Sequence, residues 1–287
     1  MQWDAGDLPF REHTLKRYTF HAASNAGPPI LFFHATGYSA LTYRTLFQKW
    51  SDAGHDVHAL DFLGHGQSSK SHAFSDWFFF RDQAVGLIDA VVAETNRRPL
   101  LVGHSLGGAS ALLAARQRDV LGVVALDPVV LGPLSIQLIR FFDAPLAKVA
   151  EKRRADFKDL NVVRRSYRRS PAFKQWDDRV FADYLDSCFV KQGDGFTLAL
   201  PPQIEARVFR SLKPGHWSHY RSLQHPLFIF TTTGSDVCPV RSARALCSKH
   251  PLSEWKLHGS GSHFFPMEDP EQTAEEVLRF SRKLTGG

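Results

Sequence analysis

Short apolar, β-branched runs alternate with segments of helical periodicity along most of this chain, and that alternation narrows the fold more than any other feature. Ile30-Leu31-Phe32-Phe33 precedes a helix-like stretch at 39–53, and the run 57–60 precedes Phe80, Ala84, Leu87, Ile88 and Val91 at 3.6-residue spacing. The run 100–102 leads into a helical pattern at 109–116, and 120–126 is a further strand-like run. Later, 227–231 precedes a helical pattern at 241–247. The run 254–257 precedes a helix opened by Asp269 as N-cap, with Pro270 at its first position and Gln272 placed for a capping box. Strands that read as continuous apolar runs between helices predict an α/β chain with a mainly parallel sheet covered on both faces.

The alternation fails between 132 and 225. That stretch is helical in flavour, rich in Arg and Phe, and interrupted at Pro145, Pro171, Pro201-Pro202 and Pro214. A structureless loop of that length does not belong in a compact domain, so an inserted helical cap is expected. The expected division is a core domain of residues 1–132 and 222–287 with a cap, or lid, at 133–221. At 287 residues the chain is long for one core, and one α/β domain with an insertion accommodates it.

Charge is as unevenly distributed as structure. The chain carries 35 Lys and Arg against 29 Asp and Glu, a net +6. Within 148–174, ten Lys or Arg face three acids, so the rest of the chain is close to neutral. The pairs Arg153-Arg154, Arg164-Arg165 and Arg168-Arg169 read first as a solvated cap face, and second as an attraction for an anionic substrate or surface. No reading motif or aromatic stacking platform accompanies them, so a nucleic-acid partner is not expected. Cys188, Cys238 and Cys247 form no CxxC pair and are odd in number, which predicts a reducing compartment and no zinc cluster. Residues 1–16 mix acids and bases in place of a secretory apolar run, and the apolar stretch at 122–134 is broken by Asp127 and two prolines. The expected location is the cytoplasm, with no integral membrane association. Oligomeric state has no signature here.

Gly103-His104-Ser105-Leu106-Gly107 sits directly between a strand run and a helix, the context in which G-x-S-x-G presents a nucleophile. A serine on so sharp a turn needs neighbours without β-carbons, and its hydroxyl then projects near a helix N-terminus, where developing negative charge is favoured. Such a serine requires a base and a group that orients the base, and with this motif the chain order is nucleophile, acid, base. For the base, His263 stands beyond the last strand run and before the final helix. His258, the nearest rival, sits at the strand end. Asp236 is the only carboxylate between 226 and 250 and follows the run 227–231, so it is the expected acid. Asp127, just after the run ending at Leu126, is its competitor, with a plain turn-residue reading before Pro128. Two backbone donors for an oxyanion are expected at Leu106, after the nucleophile, and at Thr36, in the loop after the first apolar run.

His34-Ala35-Thr36-Gly37, the run from Asp61 through Gly64-His65-Gly66 to Ser68, the Ser105 turn, Gly234-Ser235-Asp236 and His263 occur in this order in the α/β-hydrolase superfamily. The chain resembles a serine esterase or lipase-like member of it, over nearly its whole length outside the cap. That resemblance implies an eight-stranded, mostly parallel sheet and a Ser–His–Asp triad. Ala35 departs from the commoner His-Gly-x-Gly pattern of the oxyanion loop. The loop that starts at Asp61 reads as structural, with His65 tying it down.

The expected activity is that of a carboxylesterase on hydrophobic, small-to-medium acyl esters, with a small-molecule ester as partner and no cofactor or metal. A nucleophilic serine argues against epoxide hydrolase and dehalogenase chemistry, which use a carboxylate. Amidase, C–C hydrolase and cofactor-free perhydrolase activities use the same apparatus. A catalytically inactive binding module is the alternative of a different class, and it has no need of all three triad residues.

Overall fold

A computed structural model of the protein describes residues 2–259 and 261–286. An eight-stranded sheet forms its frame. The strands are β1 (Gln2–Phe10), β2 (His13–His21), β3 (Ile30–Phe33), β4 (Val57–Leu60), β5 (Leu100–His104) and β6 (Gly122–Leu126). Three short strands follow, β7 (Asp156–Phe157), β8 (Phe189–Gln192) and β9 (Gly195–Leu198), and then β10 (Leu227–Thr232) and β11 (Glu254–His258). The large sheet runs β1-β2-β4-β3-β5-β6-β10-β11. From β4 to β11 every pairing is parallel, and only β1 with β2 and β2 with β4 are antiparallel.

Helices cover both faces, and side-chain alternation along the strands divides the core. Leu31 and Phe33 of β3 pack on one side, against α2 (Phe78–Thr95) and α3 (Leu106–Ala114). Ile30 and Phe32 point to the other side, where α1 (Arg44–Asp52) contributes Leu46, Phe47 and Trp50 and the C-terminal helix contributes Val277 and Phe280. Phe32 is fully buried there, its ring 4.5 Å from Tyr43, 5.1 Å from Phe47 and 5.9 Å from Trp50.

The β1–β2 hairpin escapes the sequence reading for a physical reason. β1 is an edge strand that stays mostly exposed and carries Asp4, Gly6, Asp7 and Pro9, so no apolar pattern marks it. Its pairing with β2 and the stacking of Trp3 on Phe20 (5.6 Å) hold it.

Between β6 and β10 the chain builds α4 (Pro133–Phe141), α5 (Pro145–Glu151), α6 (Leu160–Arg169), α7 (Asp178–Ser187), α8 (Pro202–Arg210) and α9 (His216–Arg221). This insertion is helical, and it also contains a three-stranded antiparallel sheet in the order β7-β9-β8 that periodicity did not announce. The sheet's strands are two to four residues long, too short to impose a pattern. After the insertion come α10 (Val240–Cys247), α11 (Phe265–Glu268) and α12 (Pro270–Thr285). Asp269 caps α12 as its sequence predicts, accepting from the Gln272 amide at 3.0 Å. The three cysteines are free and buried. Among the described residues no helix is long and apolar enough to cross a membrane.

Phe32→Ala is expected to cost about 3–5 kcal/mol, because three packed neighbours cannot close the cavity. Phe141→Ala, at a site 82% exposed, is expected to stay within about 0.5 kcal/mol of wild type. Urea unfolding midpoints compared at constant slope check both.

Candidate active site

The turn between β5 and α3 places Ser105 at φ 56°, ψ −114°, a conformation that serine adopts only under constraint. The constraint is visible on both sides. Its N–H donates to Leu126 O (3.0 Å), and its carbonyl accepts from Ala109 N (3.0 Å) and Val129 N (3.3 Å). A β-carbon at Gly103 would fall 2.4 Å from the Gly107 carbonyl group, and one at Gly107 would fall 1.9 Å from Phe33 O. Two main chains therefore approach closer than any side chain permits. Ser105 is 9% exposed.

His263 lies in the loop between β11 and α11, and its Nδ1 stands 2.6 Å from Asp127 Oδ2. A carboxylate only accepts, so Nδ1 carries the proton and Nε2 is left as the free acceptor. Asp127 follows β6 directly, is fully buried, and sits at φ 38° with its N–H donating to Phe230 O (2.7 Å). Its carboxylate also accepts from the Thr231 hydroxyl and from the Ser235 hydroxyl (2.9 Å).

The expectation for the acid is corrected here. Asp236 lies exposed in the loop after β10 and does not meet His263 in the described structure. The loop turns inward through the residue before it: Ser235 Oγ binds Asp127 and accepts from Cys238 N (2.8 Å), which leaves the next side chain facing solvent. The strand-end position of Asp127 is legible in sequence, but the Thr231 and Ser235 hydroxyls that hold its carboxylate come from a neighbouring strand and loop far along the chain. His258, the rival base, is committed elsewhere. It is 3.4 Å from Asp269 Oδ2 and stacked on Phe265 at 4.7 Å.

Three further side chains hold the His263 loop, the Ser105 turn and the loop after β3 together. His104 Nε2 donates to His263 O (3.0 Å), and His104 Nδ1 accepts from the Tyr43 hydroxyl (2.7 Å). Tyr43 Oη in turn accepts from Ala35 N (3.3 Å). Burial, and secondarily the nearby His263, hold the His104 imidazole well below its ordinary range, so it serves as a neutral strut. His34 is likewise neutral through burial, its Nδ1 donating to Ala35 O (2.8 Å) and its Nε2 accepting from Phe62 N (2.9 Å). The sequence reading missed Tyr43 and His104, because neither position belongs to a catalytic pattern.

The first turn of α3, which Leu106 opens, lies against the end of β3, since a β-carbon at Gly107 would fall 1.9 Å from Phe33 O and 2.8 Å from His34 O, just before Thr36. Among the described residues the Thr36 N–H has no acceptor. First-turn amides such as that of Leu106 have none within their helix. Two unengaged donors beside a strained serine can stabilise a developing oxyanion.

The loop at 61–68 is a support for this region. Buried Asp61 accepts from the Tyr18 and Ser39 hydroxyls (2.8 Å each), Ala40 N (2.7 Å) and Gln67 N (2.9 Å). His65 contributes less, through Leu63 O (3.2 Å) and its ring contact with His34.

The insertion packs against the loop after β3. Arg153 donates to both oxygens of Glu205 (3.3 and 3.1 Å) and to the Tyr184 hydroxyl (2.8 Å). A β-carbon at Gly37 would come 3.1 Å from Glu205 Oε1, so this ion pair rests on the loop that carries Thr36. Beside it Tyr38 packs on Trp176 (5.6 Å), Tyr184 (5.8 Å) and Phe264 (6.2 Å), the residue after His263. No group of three side chains suited to a metal ion is found among the described residues.

A sequence profile of the alpha/beta hydrolase family matches residues 30–276. An uncharacterized protein of Mycobacterium tuberculosis is 36% identical over 291 residues, covering 95% of this chain and 80% of that protein. Monoglyceride lipase of Homo sapiens is 31% identical over 134 residues, 44% of each chain. The crystal structure of E-2-(acetamidomethylene)succinate hydrolase superposes with a TM-score of 0.79 over 97% of this chain and 99% of that one. At 20% identity it is a likeness of fold.

Gly107→Ala is expected to destabilise the protein by about 3 kcal/mol or more, because backbone atoms have to move apart. Tyr43→Phe removes the donor to a buried nitrogen and is expected to cost about 1–3 kcal/mol. Both are read from urea unfolding.

Proposed function

Because the chain belongs to the alpha/beta hydrolase family, we propose that it is a serine hydrolase cleaving carboxylic esters of hydrophobic, small-to-medium acyl groups through an acyl-enzyme on Ser105. The observation that carries this reading is the 2.6 Å His263–Asp127 pair, held through His104 against the strained Ser105 turn. In the proposed reaction His263 Nε2 takes the hydroxyl proton as Ser105 Oγ attacks the ester carbonyl. Asp127 keeps the imidazole in the required tautomer and balances the imidazolium that forms. The Thr36 and Leu106 amides receive the oxyanion, and His263 then protonates the departing alcohol. Water activated by the same imidazole releases the acid and restores Ser105.

The apolar preference is supported by the aromatic group of Tyr38, Trp176, Tyr184 and Phe264, which lies between the insertion and the His263 loop. An ester as the scissile bond is supported by the stretch shared with a protein named monoglyceride lipase. In this reading residues 133–221 act as a cap, with the Arg153–Glu205 pair as its inner edge over Gly37. The chemistry uses side chains and backbone donors alone.

A chain-length series of p-nitrophenyl esters tests the proposal. Ser105→Ala is expected to lower kcat by about 10⁴–10⁶ and Asp127→Asn by about 10⁴. Asp236→Asn is expected to keep the wild-type rate. Equal turnover by wild type and Ser105→Ala would remove Ser105 from the mechanism. Collapse in Asp236→Asn with a fully active Asp127→Asn would return the acid role to Asp236.

A further inference from the structure

Six large apolar side chains stand in solvent on one short part of the insertion. Leu134, Leu138 and Phe141 of α4 are 81%, 59% and 82% exposed, and Phe142, Leu146 and Val149 are 55%, 57% and 68% exposed. Among the described residues, six of the eleven exposed large hydrophobics fall in these sixteen positions. Single exposed apolar residues are ordinary, whereas a contiguous group marks a docking surface.

Helical spacing shows that this is a second face and not a poorly packed first one. On α4, positions 134, 138 and 141 follow one stripe, while Ile136 is 1% exposed on the opposite side. On α5, Leu146 and Val149 are three apart, and Ala147 and Ala150 turn inward to pack with Ala144 and Ala206. Each helix thus has an inner apolar stripe that is covered and an outer one that is not. Phe141 and Phe142, edge-on to each other at 5.3 Å, form the corner between the two helices.

The surrounding charge selects the partner. Asp143 and Glu151, the acids of this segment, are both engaged by Arg210, whose hydrogen bonds hold both carboxyls below their usual range. Lys148 and Lys152 are exposed beside the apolar stripe; Lys148 donates to Phe142 O (3.2 Å) and stands 4.0 Å from Asp143, a carboxylate shared with Arg210, and Lys152 has no ion-pair partner among the described residues. An apolar ridge with protruding aromatic tips and a cationic margin matches the interface of a bilayer that contains anionic lipid. Two copies joined through the same face would bring four lysines into one interface whose only acids, Asp143 and Glu151, are already engaged by Arg210, which disfavours self-association.

We propose that the outer face of α4 and α5 docks the protein on an anionic lipid surface, with the apolar side chains entering the interfacial layer and Lys148 and Lys152 meeting lipid phosphates. This inference stands apart from the bond cleaved at Ser105, because it concerns a surface on the other side of these helices from the core.

Co-sedimentation of the full chain with vesicles tests it, using phosphatidylcholine alone and phosphatidylcholine mixed with phosphatidylglycerol. Wild type and Ser105→Ala are expected to pellet alike with the mixed vesicles, so loss of hydrolysis leaves this readout intact. Leu138→Asp with Phe141→Asp is expected to weaken binding at least about tenfold with an unchanged unfolding midpoint. Lys148→Gln with Lys152→Gln is expected to weaken binding to mixed vesicles by about tenfold and to change binding to phosphatidylcholine little. Failure of wild type to pellet with mixed vesicles, or binding by the Leu138→Asp, Phe141→Asp variant equal to wild type, overturns the proposal. So does a dimer in sedimentation velocity that this variant converts to monomer, since a second copy then occupies the face.

Discussion

The contact between Gly107 and Phe33 O is the constraint from which the functional region follows. Only a residue without a β-carbon lets the first turn of α3 press against the end of β3. Once it does, Ser105 has no room for a relaxed turn and takes a positive φ. The same approach sets the first turn of α3 against the segment that begins at His34. Strain at Ser105 persists because hydrogen bonds to Leu126, Ala109 and Val129 fix its peptide groups from three directions.

Around that turn, buried polar side chains act as struts between elements that are far apart in sequence. Tyr43, His104 and the His263 carbonyl form a chain that starts at the Ala35 amide. Asp61 joins β2, the turn at Ser39–Ala40 and its own loop. Asp127 gathers Thr231, Ser235 and His263. Each hub is buried, where an unpaired acceptor is costly, so its partners are held to one geometry. This is how a site built from four loops keeps a fixed arrangement. The rigid parallel strands supply the loop ends, and the hubs lock the loops to one another.

The insertion has two apolar sides with different consequences. Its inner side contributes Trp176 and Tyr184 to the aromatic group at Tyr38 and rests the Arg153–Glu205 pair on Gly37. Its outer side, on α4 and α5, leaves an apolar ridge in water. A half-buried ion pair beside an aromatic wall favours a defined arrangement, while an uncovered ridge favours a further surface. The two sides come from different helices and meet at the end of α5, which Arg153 follows by two residues.

Sequence by itself determined the mostly parallel sheet and the turn at Ser105, because each is written in local terms. Continuous apolar runs, 3.6-residue periodicity and glycines flanking a serine act within a few residues of each other. The loop position of His263, between the last strand and the last helix, was legible for the same reason. Which carboxylate faces it was decided only by tertiary structure. Asp127 and Asp236 both follow strands, and nothing within either segment says which one turns inward. The choice falls to hydroxyls from a neighbouring strand and loop, Thr231 and Ser235, whose grip on Asp127 sends Asp236 to solvent. The struts at Tyr43 and His104 and the exposed β1 strand were hidden likewise, since hydrogen bonds between distant segments leave no periodic trace along the chain.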